Sequence, residues 1–133
     1  MEFEYFPLFF AGLISGIIIF QSSVIPPSIN KLLNEQDASR YLRYIWPKFF
    51  IIVSLLSLVC FVFISIFCPN QYIAQILSIL SSFIMVICYV AVPYMNKARD
   101  MNKEKSFFIM HTGSVLLTLV ALIINISIFF VWN

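Results

Sequence analysis

The chain is 133 residues long, 62% apolar and only 11% charged, with a formal net charge of +2. Soluble domains run near half apolar and a quarter charged, so both departures point to lipid as the solvent. Such a composition excludes a nucleic-acid-binding module, a disordered tail and a water-soluble enzyme, and the length allows one domain over residues 1–133.

Four stretches free of Asp, Glu, Lys and Arg follow in chain order: Tyr5 to Ile25, Phe49 to Phe67, Tyr72 to Met95, and Ser106 to Trp132. A helix needs about 20 apolar residues to cross a hydrocarbon core of ~30 Å. Lipid offers no partner for an unpaired backbone group, and no alternating barrel pattern is present, so each stretch predicts a transmembrane helix. The fold class expected is an all-α integral membrane protein, a four-transmembrane-helix bundle. Met1-Glu2-Phe3-Glu4-Tyr5 is acidic where a signal peptide carries Lys or Arg, so the first span is expected to stay in the mature protein.

Pro26 and Pro27 are expected to stop the first helix, because proline lacks a donor and crowds the preceding turn. Asn34-Glu35-Gln36-Asp37 then reads as a helix cap with carboxylates in the first turn. Ala38, Tyr41, Leu42 and Ile45 recur at helical spacing, with Arg40 and Arg43 off that stripe. This predicts a short amphipathic cytoplasmic-side helix between spans one and two, at headgroup level with Tyr41, Tyr44 and Trp46; a solvated loop is the alternative. The short Cys68-Pro69-Asn70-Gln71 connection makes spans two and three antiparallel neighbours.

Lys31, Arg40, Arg43 and Lys48 lie between spans one and two, and Lys97, Arg99, Lys103 and Lys105 between spans three and four. The termini and the turn at Pro69 have no basic residue. Basic residues in short loops stay cytoplasmic, so both loops are expected in the cytoplasm and both termini outside. The expected location is a bacterial inner membrane, an organellar one being the alternative.

Gly12 and Gly16 form a Gly-x-x-x-Gly, extended by Ala11 and Ser15, that lets helix backbones approach closely inside the bundle or in a dimer. Cys60, Cys68 and Cys88 form no Cys-x-x-Cys and read as small apolar packing residues rather than a disulfide framework. Gln75 and Asn125 share a depth in the outer half and are expected to hydrogen-bond, while Ser78, Ser81 and Ser82 can bond back to their own helix.

His111, the sole histidine, falls one to two turns into the fourth span. Asn96, Arg99, Asp100, Thr112, Ser114, Gln21, Ser22 and Ser23 share its depth near the inner helix ends, which predicts a polar cluster at the cytoplasmic mouth. The cluster reads either as an ion, proton or ligand site centred on His111, or as a hydrogen-bonded knot that fixes helix packing. No catalytic group is assigned: nucleophile–base pairs, phosphate loops and paired carboxylates are absent from the sequence. A metal site is not expected, since zinc or copper wants several converging His, Cys or carboxylate ligands. No cofactor is expected either, with a haem on His111 as the alternative.

The chain resembles the transmembrane-protein-205-like family of small four-span membrane proteins of unassigned activity. The resemblance rests on Val24-Ile25-Pro26-Pro27-Ser28-Ile29 at the end of span one and Trp46-Pro47-Lys48-Phe49-Phe50 at the start of span two. It continues in Asn96-Lys97-Ala98-Arg99-Asp100, and in Phe107 through His111 to Ser114. Ile29 departs from the Phe that the family often carries there. The resemblance implies a four-helix bundle with Pro26, Pro27, Pro47, Asn96, Arg99, Asp100, His111 and Ser114 gathered on the cytoplasmic side. More distantly the group is similar to CopD- and HemJ-type membrane proteins, linked to copper handling and haem synthesis. The histidine-bearing first span and intramembrane lysine of a HemJ-type enzyme are missing.

The function expected is that of a non-enzymatic accessory subunit or small transport-related factor, with membrane lipid and other membrane subunits as partners and no nucleic acid. A redox or tetrapyrrole-binding protein using His111, and an ion- or proton-coupled transporter, are the alternatives. Labelling from one side of the membrane is expected to reach the Pro69 turn and the Lys103 segment from opposite compartments; reaching both from the same side overturns the helix count.

Overall fold

A computed structural model describes residues 2–132 of the chain. A short 3-10 turn, Glu2–Tyr5, leads into α1 (Phe6–Ser23), followed by α2 (Ile25–Leu32), α3 (Glu35–Phe67), α4 (Tyr72–Asp100) and α5 (Glu104–Val131). Four helical stretches are long and apolar enough to cross a membrane: Phe3–Leu32, and α3, α4 and α5. The chain is an all-helical four-span bundle.

The long helices stand in chain order around a square. α1 packs on α3 and α5, and α4 also packs on both, while the two diagonals make no close backbone approach among the described residues. All four neighbouring pairs run antiparallel, so the Lys- and Arg-bearing connections share one end of the bundle. Four carboxylates accompany the eight cations at this basic end, whereas the opposite end holds Glu2 and Glu4 alone.

Polarity is inverted relative to a soluble bundle. Phe9, Phe20, Phe83, Phe108 and Phe130 face outward, while Ser15, Ser54, Ser57, Ser78, Ser81, Ser82 and Asn125 are buried. Lipid tails are as apolar as leucine, so burying leucine between helices gains little; close packing of small residues and interhelical hydrogen bonds take over. Ser54 pairs with Ser82 (Oγ–Oγ 2.9 Å) and Ser57 with Ser81 (3.0 Å), stitching α3 to α4. Asn125 Nδ2 donates to Ser81 Oγ at 2.8 Å and carries the seam onto α5.

Two expectations about this seam are corrected. Asn125 does not pair with Gln75, whose Nε2 donates to the Pro69 carbonyl in the α3–α4 turn (3.0 Å). Only Ser78 of the three α4 serines bonds back to its own helix, to the Ala74 carbonyl (2.9 Å). Ser81 and Ser82 face α3 instead, because the tight turn sets the antiparallel register that brings hydroxyls together.

The first connection also differs in detail. Pro26 and Pro27 do not stop helical structure; Val24 interrupts it, and the prolines sit in the first turn of α2, where missing donors cost nothing. The short helix of this region is α2, Ile25–Leu32, at the end of the first candidate span, with Ile29 buried and Ser28, Asn30 and Lys31 exposed. The segment from Ala38 to Ile45 is the start of α3. Asn34 caps it as expected, its Oδ1 accepting from the Asp37 amide at 2.8 Å. The helix then runs unbroken through Pro47 for 33 residues, or about 50 Å, well beyond a hydrocarbon core.

Gly12 lies inside the bundle, where an added Cβ would meet the Phe129 ring at 3.5 Å, whereas one on Gly16 would meet nothing within 4 Å. Gly16 is exposed on the bundle surface. The seam predicts that Ser57→Ala costs about 0.6 kcal/mol, the value of one interhelical hydrogen bond in lipid. Ser57→Leu is expected to cost ~1–3 kcal/mol by wedging α3 from α4. Reversible unfolding in mixed micelles measures both, and equal losses refute the role of close approach.

Candidate functional site

At the end opposite the basic connections, α1 is held closely. Phe3, Phe6, Phe10, Phe63 and Phe67 form a chain of ring contacts with centroids 5.3–5.9 Å apart, joining the first helical turns to the end of α3. Cys60 Sγ lies 3.5 Å from the Pro7 carbonyl, and Gly12 packs on Phe129 of α5. No side-chain hydrogen bond or ion pair among the described residues joins the other half of α1 to a neighbouring helix. There the helices part around a cavity of about 730 Å³.

The cavity has an apolar floor and a polar rim. Ile18 of α1, Phe50 of α3, Val92 and Met95 of α4, and Leu122 of α5 line its deeper part. Ser22, Ser23, Asn30, Glu35, Ser39, Arg43, Asn96, Arg99 and His111 line the part nearer the basic connections. Between these layers, Ser114 and Thr118 are satisfied within α5, their hydroxyls donating to the His111 and Ser114 carbonyls at 2.8 Å.

Local backbone geometry sets the rim. α4 ends in a Schellman turn: Asn102 takes a left-handed φ of 54°, its amide donates to the Arg99 carbonyl (3.1 Å), and the Lys103 amide donates to the Ala98 carbonyl (2.9 Å). This turn brings the end of α4 against the first turns of α5. Arg99 comes to rest with its guanidinium carbon 5.4 Å from the centroid of Phe107, whose ring stacks on His111 at 5.5 Å and 7°. Across the mouth, Arg43 makes a fork-to-fork pair with Asp100, at 2.6 and 3.1 Å. Both nitrogens of that fork are thereby occupied, and α3 is tied to α4 beyond the spans.

Of the residues singled out from the sequence, Pro26, Asn96, Arg99, His111 and Ser114 line the cavity, as do Ser22 and Ser23. Asp100 stands behind the rim and orients Arg43. Pro27, Pro47 and Thr112 are not part of the lining. Gln21 is buried beside a shallow groove along α1, its Nε2 without a hydrogen bond. Part of the expected polar cluster thus lines a cavity, with His111 exposed and stacked on Phe107. Among the described residues, no three His, Cys, Asp or Glu side chains are grouped to hold a metal.

Sequence reasoning missed Arg43, Trp46, Asn30, Glu35, Ser39 and Phe107 as wall residues. The cause is the continuity of α3: only a helix unbroken from Glu35 puts Arg43 level with Asp100. Asn102, a left-handed-tolerant residue after a Lys- and Arg-bearing helix end, was a legible signal for the turn.

A family model described as a domain of unknown function (DUF4149) matches residues 9–105, from α1 into the first turn of α5. The match includes Arg43, Asn96, Arg99 and Asp100 and ends before Phe107, His111 and Ser114. No curated protein and no solved structure matches the chain.

Arg43→Gln is expected to loosen the α3 extension while leaving the spans intact. Trypsin then cuts faster after Arg40, and high salt partly reproduces the effect in the parent protein. Unchanged cleavage shows that the pair does not hold the extension.

Proposed function

The chain belongs to this family of unknown function, and from that premise we propose that it is a non-enzymatic membrane protein that holds a small ligand in the cavity between α1, α3, α4 and α5. The observation that carries this reading is the cavity itself, an apolar pocket with a few convergent polar groups. Its volume lies in the ~300–1,000 Å³ range of small-molecule sites. A ligand-sized volume beside side chains whose hydrogen-bonding capacity is not used up among the described residues supports a ligand site over a knot that only fixes packing. The reading is that of a transport-related factor rather than an enzyme; among the described residues no rim serine hydroxyl is hydrogen-bonded to the His111 ring or to a carboxylate. Gathering all eight basic residues at one end supports a cytoplasmic orientation for the cavity mouth and a bacterial inner-membrane location. The transmembrane-protein-205-like relationship is proposed on the motifs at Pro26, Pro47, Asn96 and His111.

A tetrapyrrole is the second reading, favoured by His111 and Arg99 lining one cavity, an imidazole for a metal and a guanidinium for a carboxylate. It has only one histidine to offer.

The test is native mass spectrometry of the full chain released from mild detergent. The parent protein is expected to carry a small-molecule adduct, and Ser22→Trp, which fills the cavity from an exposed wall position, is expected to lose it. Equal adducts in both, or none in either, overturn the reading. A stoichiometric second polypeptide with no adduct replaces it by an accessory-subunit role, and a Soret band with a haem-sized adduct replaces it by the tetrapyrrole.

A further inference from the structure

We propose that the cavity takes a single-chain anionic amphiphile from the bilayer, its headgroup held by Arg99 and its chain lying between the basic ends of α1 and α5; this rests on the ligand-binding reading above.

The two arginines of the rim are not equivalent. Arg43 has its fork filled by Asp100. Among the described residues Arg99 makes no hydrogen bond or salt bridge; its guanidinium rests on the face of Phe107 and meets the Asp100 carboxylate only through space, which leaves its N–H donors without a hydrogen-bond acceptor. A guanidinium held on an aromatic ring with open donors is preorganised for a carboxylate or phosphate. Asn96 and His111, which line the same cavity, make no side-chain hydrogen bond among the described residues and add polar groups beside Arg99. Glu35 faces them from the first turn of α3, where the helix N-terminus offsets its charge, and it pairs with neither arginine. A cationic headgroup would find this one carboxylate and would have to displace nothing, but it would stand against Arg99.

The chain-binding part follows from exposure. Ile19 on α1 and Val115 and Leu119 on α5 line the cavity, yet each is about half exposed on the bundle surface (49%, 50% and 50%). Their uncovered apolar surface, on two neighbouring helices within the apolar spans, offers an acyl chain a path between α1 and α5. An inorganic anion needs no such path, and a neutral hydrocarbon needs no Arg99. A molecule with an anionic head and one apolar chain uses both.

The experiment uses Trp132→Phe full-length protein in neutral phosphatidylcholine nanodiscs, where Trp46 is the sole indole and lines the cavity. Dodecyl phosphate, dodecanoate, dodecanol and inorganic phosphate are titrated against Trp46 emission, with Trp46→Phe as the blank. Both anionic amphiphiles are expected to saturate, dodecanol to bind at least tenfold more weakly, and inorganic phosphate to give no signal. Arg99→Gln is expected to weaken both anions at least tenfold and leave dodecanol unchanged, and Arg99→Lys to restore part of the loss. Comparable binding of dodecanol, or no effect of Arg99→Gln, overturns the headgroup assignment. Inorganic phosphate that binds as tightly as dodecyl phosphate overturns the chain assignment. If none of the four saturates while the mass-spectrometric adduct persists, this proposal fails and the ligand-binding reading stands; loss of the adduct as well removes both.

Discussion

Hydrogen bonding across closely approaching backbones is what the rest of this molecule depends on. In a solvent of acyl chains the apolar surface of a helix has no preference for another helix over lipid. The bundle answers with small residues at its interfaces and with hydroxyl and amide groups that find partners only across them. Ser54, Ser57, Ser81, Ser82 and Asn125 occupy the positions that leucine and valine hold in a soluble bundle, and most of the phenylalanines are free to cover the outside and one end.

That seam is unevenly distributed, and the uneven distribution makes the cavity. It joins α3 to α4 and α4 to α5, and the Arg43–Asp100 pair and the Schellman turn extend the same three-helix unit beyond the spans. α1 lies outside it. Its polar link to α3 and its ring contacts are concentrated near Pro7 and Phe10, and Ser15 spends its hydroxyl on the Ala11 carbonyl of its own helix. Beyond those contacts α1 packs through Ile14 and Ile18, and Arg99, Asn96 and His111 line the cavity beside it.

The spans, the Asn34 cap and the tight turn at Pro69 were legible in the sequence, because each rests on hydrophobic length or local backbone chemistry. Helix register was not. Whether Ser81 faces α3 or its own backbone, and whether Asn125 meets Gln75 or Ser81, depends on rotations that no local pattern sets. Pro26 and Pro27 misled because proline reads as a stop, although the first turn of a new helix accepts it. Lys48, which bounded the uncharged stretch at Phe49, hid the length of α3, and with it the pairing of Arg43. The cavity was invisible for a further reason: its lining mixes residues whose local signals are those of ordinary lipid-facing positions, such as Ile19 and Leu119, with residues that read as loop flanks, such as Glu35.

The loosely bonded half of α1 has a mechanical consequence. A rib anchored at one margin by aromatic rings, and elsewhere only leaning on its neighbours, takes its tilt from the pressure of the surrounding acyl chains. The width of the cavity beside it is then a property of the leaflet as much as of the polypeptide, so thickness and chain packing in the host membrane act on the opening without touching a single polar bond.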